Sequence, residues 1–188
     1  MVEAQILKEI YTIVHLIGVT LGAGGAFVSD ALFMSVFKDM KINSAELRLV
    51  KVGSAMVWLG VVVLIVSGVL LFSLNPERYL TSSKFLVKMT IVGVIIVNGL
   101  YLHAKLLPLC AKHVNRNLSK SREFMKHRKT LFTSGAISFT SWVSAIILGS
   151  LRSVPLDYFP LLGIYLAILA AAIVVGNVAA PHILRSDL

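Results

Sequence analysis

The sequence predicts an all-α protein, a polytopic membrane bundle of five transmembrane helices. Three observations predict it. The 188 residues are 57% hydrophobic and only 14% charged, where a soluble domain is nearer half apolar and a quarter charged. Five apolar runs lie between charged flanks, each near or above the ~20 residues needed to cross ~30 Å of hydrocarbon. The basic residues are also divided unequally between the two sides those runs define. No linker or low-complexity stretch interrupts the pattern, so residues 1–188 read as a single integral membrane domain.

The first run covers about 10–37 and is longer than a perpendicular crossing requires, which implies tilt or protrusion. Lys8 and Glu9 precede it and no small-residue cleavage pattern accompanies it, so it reads as a retained helix and not a signal peptide. Gly18 and Gly22 form a small-xxx-small pair, with Gly24 and Gly25 close behind. The second run, 52–74, places Gly53, Gly60 and Ser67 at intervals of seven and ends in the turn sequence Asn75-Pro76-Glu77-Arg78. Such small residues let helix backbones approach in lipid, where no hydrophobic force drives association.

The third run, 85–109, carries Lys88, Asn98, His103 and Lys105. The fourth, 130–151, has a stripe of Ser134, Ser138, Ser141 and Ala145. With no Ser/His/Asp arrangement to accompany it, the stripe reads as close packing and not catalysis. Arg152-Ser153-Val154-Pro155 separates the fourth run from the fifth, 156–182, which ends at His182.

Five spans put the termini on opposite sides. Lys8, Arg78, Lys84, Lys88 and Arg152 fall on the N-terminal side, and the other thirteen Lys and Arg fall opposite. The positive-inside rule then sets the N terminus outside and the C terminus in the cytoplasm, in a bacterial cytoplasmic membrane. This asymmetry accounts for most of the net charge of +9, and no nucleic-acid partner is expected. The 110–129 loop, "CAKHVNRNLSKSREFMKHRK", is a candidate surface for anionic lipid headgroups. The single cysteine, Cys110, excludes an intrachain disulfide and any CxxC motif.

Orientation assigns each polar residue a depth. His15 lies roughly 8 Å into the first span, in the same outer layer as Lys88. Asp30 lies near the inner end, with His103, Lys105 and His182. His15 and Asp30 are about 22 Å apart along the helix axis, too far to share a coordination shell. Two readings of the outer layer stay open. His15 binds a metal or haem iron beside an anion-pairing Lys88, or it hydrogen-bonds a neighbouring helix while Lys88 reaches the interface. In the inner layer, Asp30 is either paired with a cation such as Lys105 or His103, or protonated; proton relay, metal binding and a bis-histidine haem at His103 and His182 are the functional alternatives.

"YTIVHLIGVTLGAGGAFVSDALF" followed by "SSKFLVKMTIVGVIIVNGLYLH" resembles the HemJ-type protoporphyrinogen oxidases and the broader CopD-like small membrane proteins. It also resembles a group of uncharacterised bacterial integral membrane proteins, which implies no activity. The HemJ resemblance falls on His15 and Lys88 and implies a haem b ligand at the histidine and an activity role for the lysine. The CopD resemblance implies copper handling, yet the six methionines form no MxxM cluster. "GAGGAFVSD" replaces the aromatic-Gly segment of the HemJ pattern, and the fifth span is additional.

The leading expectation is therefore a membrane protein with a cofactor or ligand site in the outer half, haem b at His15 with Lys88 beside it. If it is redox active, electrons pass to a quinone or a partner protein, because no flavin or nicotinamide fingerprint is present. The alternative is a non-enzymatic transporter or channel subunit, or a scaffold, using Asp30 and His103 as a proton or cation relay. For transport, a homo-oligomer would supply what five spans without an inverted repeat lack.

Overall fold

Within lipid the backbone must satisfy its own hydrogen bonds, which a helix does within one segment. The computed structural model describes residues 2–118 and 121–183, apart from the side chains of 37–39, 128 and 179–183. It is helical in nearly every described segment: α1 (Val2–Asp39), α2 (Ser44–Leu74), α3 (Pro76–Leu80), α4 (Ser83–Tyr101), a π turn (Leu102–Leu106), α5 (Leu107–Lys112), α6 (Arg122–Ser150) and α7 (Tyr158–Ile183). Five stretches among the described residues are long and apolar enough to cross a membrane: Val2–Val36, Ser44–Leu74, Ser83–Lys112, Lys129–Ser150 and Tyr158–Val178. The chain is built as a multi-pass membrane protein. Phe159, Val97 and Val175 stand out from the bundle, as side chains meant for lipid do.

The helices run past the apolar limits read from the sequence. α1 begins eight residues earlier than the first apolar run, because charged residues form helix as readily as apolar ones, and Gln5 donates to Glu9 one turn on at 2.8 Å. α2 likewise begins at Ser44. Asn43 caps it, accepting from the amides of Ala45 and Glu46, while the Glu46 carboxylate accepts from the Asn43 amide; this is a capping box.

α1 and α2 pack as a tight antiparallel pair. A Cβ on Gly60 would strike the backbone of Gly22, one on Gly25 would come within 2.9 Å of the Gly53 carbonyl, and one on Gly18 within 3.0 Å of the Leu64 amide nitrogen. Gly22 also meets the Trp142 ring of α6, so this position joins three helices. Gly24 is different: nothing lies within 4 Å of a Cβ there, and it takes no part in the seam expected of all four glycines. α6 packs on α4 and α7, completing the bundle.

One core cluster, including Val87, Ile91, Trp142 and Tyr165, sits toward the α3 end. The other, including Val36, Ile42, Leu118 and Phe124, sits at the opposite end. There the loop after α5 folds back on the α1–α2 turn. Asn115 donates to the Ile42 carbonyl and Leu118 to that of Met40, each at 2.8 Å, with a bridge between Lys41 and Asn117. Ile42 and Leu118 are wholly buried, so this basic segment is a folded cap and not a solvated strap.

Candidate functional site

The polar residues of the spans fall into two places. In the first, His15 Nδ1 lies 2.9 Å from Ser67 Oγ, and Ser67 Oγ lies 2.6 Å from the Val63 carbonyl. A serine hydroxyl has one proton. Given to Val63, it leaves His15 Nδ1–H as the donor and Nε2 with its lone pair free. The heptad of small residues on α2 thus ends by holding a histidine of α1. Lys88 stands within electrostatic reach of that ring, with Lys84 in reach of Lys88; Lys84 itself donates to the Leu151 carbonyl.

The second place is a cavity of about 580 Å³ between the α1–α2 pair and α4, α6 and α7. Small residues line its walls, among them Ala26, Gly99, Gly135, Ala136 and Gly176. Its volume falls in the roughly 300–1,000 Å³ range of small-molecule sites. Asp30 enters from α1, Ser54 and Trp58 from α2, Asn98 from α4, His103 from the π turn and Ser138 from α6.

The π turn is what delivers His103. Pro108 has no N–H, so the ordinary donor to the Ala104 carbonyl is missing and the helix has to change register. It does so by lengthening one turn, with the Leu107 amide bonding back to the Leu102 carbonyl. Such bulges recur at functional sites. His103 Nδ1 then lies 3.1 Å from Ser54 Oγ, and its ring meets Trp58 edge to face at 6.5 Å. This bond crosses from α2 to the third span at the exposed side of the cavity.

Asp30 was expected either to be protonated or to pair with a cation such as Lys105 or His103, and neither of those two side chains is its partner. Lys105 is exposed and does not line the cavity, and His103 is held by Ser54. The Asp30 carboxyl interacts with the Ser138 hydroxyl, and its Oδ2 is buried with no hydrogen-bond partner. No described basic side chain forms an ion pair with it. The side chains of Lys38 and His182 lie outside the described residues, so the expected place of His182 beside His103 does too.

The serine stripe of α6 does more than let helices approach. Ser134 donates to Asn98 Oδ1 at 2.6 Å while Asn98 Nδ2 donates to the Ser134 carbonyl at 3.0 Å. Ser141 bonds the Tyr165 hydroxyl at 2.9 Å. With Ser138 facing Asp30, one helix reaches α1, α4 and α7 through three hydroxyls. Ser54 and the cavity roles of Trp142 and Phe139 escaped the sequence reading, which had no means of fixing helix rotation; the Pro108 signal for the π turn was present.

Among the described residues, no three His, Cys, Asp or Glu side chains converge as a metal site. Neither this cavity nor a shallower one between α4 and α6 touches His15 or Lys88. No family model matches the chain, and no curated protein or solved structure is significantly similar to it. The two places have only their own chemistry to speak for them.

Proposed function

We propose that the chain is a non-enzymatic membrane transporter or channel subunit that takes up a small positively charged species in the cavity around Asp30 and His103. One observation carries this reading: an intramembrane cavity whose only acid, Asp30, has no cationic partner among the described residues. A charge in lipid is costly unless paired, so this carboxyl has a use for a proton or a cation. His103, at the exposed side, is the second exchangeable group on the route. The basic loops lie in the cytoplasm and the N terminus outside in this reading, by the positive-inside rule, and the 110–129 segment rests on anionic headgroups. Reconstituted in liposomes with an internal pH or cation indicator, the protein gives a flux above that of empty vesicles; Asp30→Asn abolishes it and His103→Ala reduces it. Wild-type flux equal to the empty-vesicle leak contradicts the proposal.

The second reading keeps the resemblance to HemJ-type proteins, with haem b at His15 and Lys88 toward a propionate or substrate, and a quinone or protein redox partner. The free Nε2 of His15 favours it. Against it, neither of these two cavities reaches His15 or Lys88. Protein expressed with haem available and purified in detergent tests it: a Soret band lost in His15→Ala supports haem, and a colourless, folded protein excludes it.

A further inference from the structure

We infer that the occupant of the cavity is an amphiphilic organic cation, a molecule with one primary or secondary ammonium group and an apolar, preferably aromatic, body. The inference rests on the cavity being a ligand site, and names the class of ligand.

Charge comes first. Among the described residues, Asp30 is the one acid on the cavity wall and no Lys or Arg lines it. An anion there would meet the carboxyl of Asp30 with no cation to offset it. A neutral ligand would leave that carboxyl as it stands, with a buried, unpartnered oxygen. Burying an unpaired polar group is unfavourable, and a charged one far more so. An ammonium group answers both needs, because it supplies a charge and N–H donors together.

Size and wall chemistry exclude the smaller cations as the preferred occupant. A dehydrated metal ion wants several oxygen or nitrogen ligands, and no three His, Cys, Asp or Glu side chains converge among the described residues. Asn98 is already engaged by Ser134 in both directions. About 580 Å³ is also far more than one ion fills. Apart from a few Ser and Thr hydroxyls, most of the remaining wall is aromatic and aliphatic: Phe27, Trp58, Phe132, Phe139 and Trp142 come from three helices. Aromatic faces attract cations and pack apolar bodies alike.

The route in follows from the helix arrangement. The Ser54–His103 bond and Trp58 stand between α2 and the third span on the side where His103 is exposed. An amphiphile already dissolved in the bilayer reaches the cavity from there, ammonium leading toward Asp30.

The test uses the chain's own reporters. Its only two tryptophans, Trp58 and Trp142, both line the cavity, so intrinsic fluorescence reads occupancy without a label. The purified full chain in detergent is titrated with 4-phenylbutylamine, protonated at pH 7 as a lysine side chain is, and with 4-phenylbutanol and 4-phenylbutyrate. The amine is expected to change the emission saturably and to bind at least tenfold more tightly than the alcohol, with the carboxylate weakest. Asp30→Asn brings amine and alcohol to the same affinity. Equal affinities of amine and alcohol for the wild-type chain overturn the inference while leaving the cavity as a binding site, and that comparison needs no variant to fold. No saturable response to any of the three overturns the inference and the ligand-site reading together. Saturable amine binding without liposome flux leaves the inference standing and removes only transport.

Discussion

His15 Nδ1 sits 2.9 Å from Ser67 Oγ, and the serine hydroxyl donates to the Val63 carbonyl at 2.6 Å. The bond ties α1 to α2 and fixes the imidazole with Nε2 free. Interhelical hydrogen bonds in membranes average about 0.6 kcal/mol and reach about 1.7 kcal/mol in double-mutant cycles. A cycle of His15→Ala and Ser67→Ala, read by unfolding in mixed micelles, should return a coupling of that size. A coupling of zero would show that the pair makes no bond in solution.

The α1–α2 seam makes a sharper prediction, because it separates two glycines of one helix. Gly22 meets both Gly60 and Trp142, whereas Gly24 meets nothing. Gly22→Ala should lower stability by about 1–3 kcal/mol through overpacking. Gly24→Ala should be neutral or gain up to ~1 kcal/mol from helix propensity. Thermal melts of the two variants side by side check this, and equal losses would contradict the seam.

Asn98 and Ser134 form a reciprocal buried pair. Asn98→Ala removes one partner and leaves the Ser134 hydroxyl and carbonyl to find others, at about 1–3 kcal/mol. Denaturant unfolding should show a loss larger than that of Tyr165→Phe, which affects only the single Ser141 bond.

At the end of the third span, Lys112 donates to the exposed carboxylate of Glu123, which lies outside the spans, at 2.6 Å. That bond, with smaller help from the charges of Lys112, His113 and His127, holds the Glu123 carboxyl below its ordinary value of 4.5. A depressed carboxyl pKa contributes stability above its unfolded value, which is lost as pH falls through the folded one. The wild type should therefore melt slightly above Glu123→Gln at pH 6, with the gap closing below pH about 4.5 and shrinking in salt. A gap that widens in acid would be the wrong sign.

Helix number and the presence of apolar spans were legible because hydrocarbon thickness imposes a length that composition reveals. The seven-residue spacing of Gly53, Gly60 and Ser67 and the pairing of Gly18 with Gly22 also announced a close interface. Rotation was not legible. Nothing in "GAGG" distinguishes Gly22 and Gly25, which face α2, from Gly24, which does not. The same gap hid the cavity, since position along α1 does not say which helices Asp30 faces. Charged residues at helix ends misled the boundaries, because polarity was taken as the limit of the helix when it was only the limit of the apolar phase. The Asn43–Glu46 capping box and Pro108 were both in the sequence, and each would have corrected an element.

The central claim is that Asp30 opens on a cavity within the membrane and, among the described residues, has no cation paired with it. A lipid-soluble carbodiimide reaches carboxyl groups from the apolar phase, and mass spectrometry locates the adduct. Asp30 is predicted to be modified first among the acids of the chain, with the adduct absent in Asp30→Asn. Modification confined to exposed acids such as Glu77 and Glu123, with Asp30 untouched, would contradict it.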